Sequence, residues 1–153
     1  MTVEEIEKRI ALLTPFCISR FKDKNLKYPK KHYYVYVPCI VKDHFFLCML
    51  TTQGEKLKAH YARINKINAI NSLININKDQ YKFLKEVTVI NCNNIKIFTK
   101  KSLLKDIDED NGLILKNIII TDIKLKKDII LGIKNSPLNN IENIKDFLPQ
   151  DIS

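Results

Sequence analysis

Tryptophan is absent from this chain, glycine occurs three times in 153 residues and methionine twice. So little glycine leaves no Gly-rich loop able to cradle a nucleotide phosphate, and neither the P-loop nor the dinucleotide-binding spacing is present. HExxH and GxSxG are missing as well, which removes the common zinc-hydrolase and serine-hydrolase readings. The four cysteines, Cys17, Cys39, Cys48 and Cys92, are widely spaced with no CxxC pair, so neither a zinc site nor a redox motif is supported. They are expected as reduced, buried thiols, small hydrophobes in apolar surroundings. No apolar run approaches the ~18 residues of a membrane span, and no charged-then-apolar leader opens the sequence. The expectation is a cytoplasmic protein with no membrane partner, no metal and no cofactor.

What is present is positive charge, unevenly placed. The chain carries a net +9, with a composition rich in Ile, Asn and Lys. Residues 1–66 hold 13 Lys and Arg against 6 Asp and Glu, a net +7, whereas residues 67–153 hold 13 against 11, a net +2. A field concentrated in one half of a chain suits a phosphate-backbone partner.

The length fits one domain, expected over 1–153. Two runs rich in aromatic and β-branched residues, His32 to Cys39 and His44 to Leu50, flank a polar turn at Lys42-Asp43 and predict a central β-hairpin. Before it, Thr2 and Glu5 make a capping box for a helix over 2–14, with Val3, Ile6, Ile10 and Leu13 at helical spacing. Residues 16–31 are irregular and basic, with Phe21 and Tyr28 among the lysines; a strand in part of this segment stays open, but Pro29 favours an approach loop. After Thr52, the Asn-rich segment KLKAHYARINKINAINS favours a loop with short strands. Further strands are expected at Leu73 to Ile76, Val87 to Cys92 and Ile95 to Phe98. A short helical turn follows at SLLKDI, then an acidic turn ending at Gly112. Leu113 to Ile120 fits strand or helix equally. Thr121 is placed to cap a helix reaching about Asn135, and an amphipathic helix is expected over 138–148. Together these give an α+β fold, mainly antiparallel β. A sheet of this kind commonly closes into a small barrel, here over about 30–100, with a helical tail at about 118–148 covering its edge.

A basic, aromatic-laced surface with histidines and hydroxyls suits metal-independent RNA cleavage through the 2′-hydroxyl. That reaction needs a base for the hydroxyl proton, a cation for the pentacoordinate phosphorane and an acid for the leaving oxygen. His32 is the candidate acid or base, Lys31 the candidate cation, and Thr51 and Thr52 candidate donors to a phosphate oxygen. Arg20, Lys30, His60 and Arg63 are candidate RNA contacts. Arg20 and Arg63 are two of three arginines in a lysine-rich chain, where a planar fork is the reason to keep one. Each also has a plain structural reading: a strand-end histidine, a threonine kept for β-propensity, a solvated lysine. Of Tyr33, Tyr34 and Tyr36, most are expected in or near the core, with one or two free to stack on bases.

The segments KKHYYVYVPC, HFFLCMLTTQ and SLININKDQYKFLKEVTVINCNNI resemble the PemK/MazF-like toxin endoribonucleases. They match that family's basic approach to a strand, its next strand ending in paired hydroxyl residues, and its later strands joined by a polar connector. IKLKKDIILGIKNSPL is similar to the terminal helix of distant members. The resemblance implies an SH3-like barrel that cuts single-stranded RNA without metal, a homodimer and a protein antitoxin. It carries most directly to Thr52 and Thr51. This chain departs from the family in two places: Lys30-Lys31-His32 stands where the family's arginine usually lies, and the helix at 2–14 replaces its opening strand. The alternative expectation is a barrel of the same kind that binds nucleic acid or a protein partner without cutting, such as a phage or plasmid interaction protein.

Overall fold

Strands β2 (Lys31–Pro38) and β3 (His44–Thr51) form the expected hairpin and sit at the centre of the sheet. Asp43 in their connection takes a left-handed φ of 62°, a conformation that Asp tolerates better than most side chains. The computed structural model describes residues 1–26 and 30–150; Lys27, Tyr28 and Pro29, in the expected approach loop, lie outside the described residues.

β1 (Cys17–Lys22) pairs with β2 on one side and with β7 (Leu113–Ile119) on the other. Across the hairpin, β3 is paired by two strands end to end. β6 (Ile97–Thr99) lies against its first residues, and β5 (Thr88–Asn91) against its last. β4 (Leu73–Ile76) then pairs with β5. All these pairings are antiparallel, and the hydrogen-bonded path runs β4-β5-β3-β2-β1-β7. The fold is therefore α+β and mainly antiparallel, as expected, but the sheet is open. The expected barrel over 30–100 gives way to seven strands drawn from residues 17–119, because β1 and β7 extend the sheet beyond that segment at both ends. Helices on both faces bury what closure would otherwise have to bury.

Side chains alternate across a strand, and the register shows which face each one joins. Val35, Val37, Phe46, Cys48, Leu50 and Ile90 share one face. Helix α4 (Ile123–Asn135) covers it through Leu125, Ile129, Ile130 and Ile133, and α5 (Ile141–Lys145) adds Ile144. Ile129 and Ile133 are fully buried, each contributing roughly 1.5–3 kcal/mol. The C-terminal helices thus cover a face of the sheet rather than its edge. The cap of α4 is Asp122, not Thr121: its carboxylate accepts from the N–H groups of Lys124 and Leu125.

Tyr34, Phe45, Leu47 and Phe98 point the other way. There α1 (Val3–Ala11), with the expected Thr2–Glu5 capping box, buries Ile6 and Ile10, and α3 (Lys100–Asp106) buries Leu103. Farther along the same face, α2 (Gly54–Arg63) and a 3-10 turn over 67–72 pack Tyr61 and Ala69 on Leu73 and Val89. The segment expected as a loop after Thr52 is therefore helical. Leu57 and Tyr61 fall four apart on one face, and Glu55, Lys56, Lys58 and Ala59 around them are strong helix formers.

A buried polar network ties α4 to the sheet. Asn139 Nδ2 donates to the carbonyls of Cys92 and Ile133, both at 2.8 Å, while its Oδ1 accepts from the Ile95 N–H at 2.9 Å. Ser136 Oγ donates to Asn93 Oδ1 (2.6 Å), and Ser72 Oγ to the Gly132 carbonyl (2.7 Å). Among the described residues, no helix is long and apolar enough to cross a membrane.

Candidate nucleic-acid interface

Because β2 and β3 are antiparallel, the first residues of one and the last of the other lie at the same end of the sheet. The candidates Lys31, His32 and Thr51 lie at that end, but Lys31, opposite Lys22, projects to the face of Arg20 and Tyr33, away from His32. His32 is opposite Phe21 on β1, and Tyr34 is opposite Met49 on β3. His32 and Thr51 therefore each stand two residues beyond a paired Tyr34 and Met49, on the same face. The His32 ring meets Tyr34 edge-on, with centroids 6.4 Å apart. Burial holds the imidazole below its usual pKa, and the charges of Lys30 and Arg20 push it the same way. His32 is thus held neutral at neutral pH, the form that accepts a proton.

Lys30 and Lys31 are exposed. Lys31 is opposite Lys22, which contacts Asp108 at 3.5 Å, so Lys22 is partly neutralised and no comparable contact holds Lys31 among the described residues. The Thr51 hydroxyl accepts from the Gln53 N–H (3.1 Å), and that of Thr52 from Gln53 Nε2 (3.5 Å). Both hydroxyl groups remain available as donors.

Other candidates fall elsewhere. Arg20 is opposite Tyr33, so it occupies the face of the sheet away from His32. Its guanidinium carbon lies 5.2 Å from the Tyr33 ring centroid, with Lys116 Nζ at 5.8 Å. The Arg20 Nε is buried without a hydrogen-bond partner. His60 and Arg63 are exposed on α2, where Arg63 Nη2 donates to His60 Nδ1 at 3.3 Å. They lie roughly 9–14 Å along the helix axis from Gly54, a separate patch rather than part of the hairpin end.

Sequence reasoning passed over a cleft of about 290 Å³ on the face that carries His32. Its floor is Phe21, Tyr34, Leu47, Met49 and Phe98, and its rim includes Asp23, Asn25, Asn91, Lys96 and Asp106. The cleft exists because α1 and α3 cover one part of this face and α2 another, leaving a strip between them. Phe21 and Tyr34 are stacked, with centroids 4.3 Å apart and planes at 16°. Tyr34 is 6% exposed, yet its hydroxyl has no hydrogen-bond partner. Burial, and then the charge of Asp23, push its pKa well above the ordinary phenol value. The signal was present in HYYVY: period two puts His32, Tyr34 and Tyr36, all polar-tipped, on one face.

Among the described residues, no group of three or more His, Cys, Asp or Glu side chains is placed to hold a metal ion. The four cysteines are free; Cys17, Cys48 and Cys92 are buried and Cys39 is partly buried. A scan against protein-family models and a search of curated proteins return no match to this chain.

Proposed function

We propose that the protein binds single-stranded RNA across the face of the sheet that carries His32, with the phosphate backbone held by Lys30 and Lys31. The observation that carries this reading is the register. It puts a neutral histidine and a threonine hydroxyl on the face of an aromatic-lined cleft, with the charge of Lys30 beside the histidine and Lys31 exposed at the same end of the sheet on its other face. Lysines supply sequence-independent attraction to phosphate, and an aromatic-lined cleft suits a base that is not already stacked in a duplex.

A second reading, cleavage of the PemK/MazF-like kind, draws on the neutral state of His32. There His32 takes the 2′-hydroxyl proton, the 2′ oxygen attacks phosphorus, and the 5′ oxygen leaves with a proton from water. The products are a 2′,3′-cyclic phosphate and a 5′-hydroxyl. Lys30, whose charge acts on His32, stabilises the phosphorane, with Thr51 or Thr52 donating to a phosphate oxygen; Lys31 shares the Arg20 face. Arg20, on the other face, takes no part. An antitoxin-type partner and a second copy of the chain belong to this reading.

Fluorescence anisotropy with a labelled 12-nucleotide RNA tests binding, and gel analysis of the same mixture with EDTA tests cleavage. Saturable binding lost in Lys30→Glu/Lys31→Glu supports the first reading. Equal binding by that variant, or none at low salt, overturns it. Cyclic-phosphate ends that form in EDTA and vanish in His32→Ala support cleavage; intact RNA removes it.

A further inference from the structure

The strip of sheet between the two helical groups differs in charge from the lysines at its end. Among the described residues around the cleft, Asp23 and Asp106 are acidic and Lys96 is the single cation. A bare phosphate is therefore disfavoured inside it. Each carboxylate is held in place by Asn25: the Asn25 N–H donates to Asp23 Oδ1 (2.8 Å), and Asn25 Nδ2 donates to Asp106 Oδ1 (2.7 Å). Neither carboxylate has an ion-pair partner among the described residues, and the second oxygen of each remains free to accept. Beneath them, the Tyr34 hydroxyl is a buried donor with nothing to donate to. Buried polar groups of this kind nearly always have a partner in a completed structure.

These groups specify a ligand. The stacked Phe21 and Tyr34 rings, with Leu47 and Met49, line an apolar floor. Fixed carboxylate oxygens call for donors along one edge of a ring, and Tyr34 and Lys96 call for acceptors. The volume lies at the small end of ligand pockets, roughly 300 Å³, enough for a single heterocycle. Guanine carries adjacent N–H donors on its Watson–Crick edge and acceptors at O6 and N7. Cytosine and adenine offer one exocyclic amine each, and uracil a single N–H between two carbonyls.

We infer that the cleft is a binding site for one guanine base, held by Asp23 or Asp106 at its donor edge and by the Tyr34 hydroxyl at an acceptor. This rests on the RNA reading where the base belongs to a strand, while a free guanine nucleotide is the other source of the same chemistry. In the RNA case the base enters the cleft and its phosphates run toward Lys30 and Lys31.

The test uses the full chain. Isothermal titration with guanosine, adenosine, cytidine and uridine reads the cleft without phosphate, and anisotropy with U-rich 10-mers lacking or containing one G reads the strand. Guanosine is expected to bind best, and Asp106→Asn and Tyr34→Phe to weaken it about tenfold or more, the loss of a hydrogen bond to a charged or buried group. Guanosine binding together with preference for the G-containing 10-mer supports the inference with RNA as source. Guanosine binding without 10-mer binding keeps the cleft site and removes the RNA reading. Binding of 10-mers without preference for G, unchanged in Asp106→Asn, overturns the inference and leaves the RNA reading standing. Absence of both removes both. Asp106 is partly exposed at the end of α3, so Asp106→Asn keeps the test decisive should Tyr34→Phe fail to fold.

Discussion

Arg20 and His32 stand on neighbouring strands and face away from one another, Arg20 opposite Tyr33 and His32 opposite Phe21. A one-residue difference in register separates the two groups that an arginine-assisted cleavage would need on one side. Cationic help for an RNA on the His32 face therefore comes from Lys30, whose charge acts on His32, whereas Lys31, opposite Lys22, projects to the face of Arg20.

Salt dependence separates these roles. With Lys30→Ala/Lys31→Ala, the slope of log affinity against log salt should fall by about 1.4 for single-stranded RNA, if each lysine neutralises one phosphate. Arg20→Ala should leave that slope unchanged. Anisotropy titrations between low and moderate salt measure both.

The depressed pKa of His32 has a signed effect on stability. Between its folded value and the unfolded value near 6.5, the unfolded chain binds the extra proton. The contribution of a neutral His32 is therefore fully present above about pH 6.5 and is lost as pH falls through the folded value. Urea midpoints of the wild type and His32→Gln, taken at pH 7.5, 6.5 and 5.5, should diverge, with the wild type losing more on acidification. Parallel curves would show that His32 is not desolvated.

Asn139 holds two carbonyls and one N–H with a single side chain. Asn139→Ala leaves all three groups buried without that partner and should cost about 2–4 kcal/mol. Asn139→Asp should cost at least as much, since a carboxylate cannot donate to the Cys92 and Ile133 carbonyls. Equilibrium urea unfolding checks both, and a change under about 0.5 kcal/mol would place the network outside the cooperative core.

Gly132 in α4 reverses an ordinary rule. Glycine to alanine inside a helix normally stabilises by up to about 1 kcal/mol. Here an added Cβ would lie 3.2 Å from both Cys92 Cβ and Ile74 Cδ1, so α4 must move off the sheet or its neighbours must shift. Gly132→Ala should destabilise by about 1–3 kcal/mol, whereas Lys127→Ala, on the same helix and exposed, should change little. Thermal melts of the two variants decide the sign.

Much of the fold was legible because local signals and tertiary packing agree. The Thr2–Glu5 capping box, the two runs of the hairpin and the β4 segment Leu73–Ile76 all lie where periodicity and caps place them. The expected loop after Thr52 failed because its asparagines lie mostly beyond Arg63, past a helix that Leu57 and Tyr61 anchor. β7 was ambiguous because an apolar run has no face to read until β1 is known to pair with it. At the site, alternation along β2 and β3 was enough to gather His32 and Thr51, and it sends Lys31 to the other face. It was not enough for Arg20, whose face depends on its pairing with Tyr33. Nor could it show the cleft, whose walls come from segments up to 85 residues apart in sequence, Phe21 and Asp106 among them.

The bonds from Asn139 to Cys92, Ile133 and Ile95 also bear on when the molecule can be assembled. One whole side of the sheet stays greasy and uncovered until residues 123–148 have been synthesised and can dock. A nascent chain paused short of that point would hold paired strands without their lid, ready to stick to other chains. Chains of this protein should therefore depend on chaperones until the segment around Asn139 is free to dock, and then commit all at once.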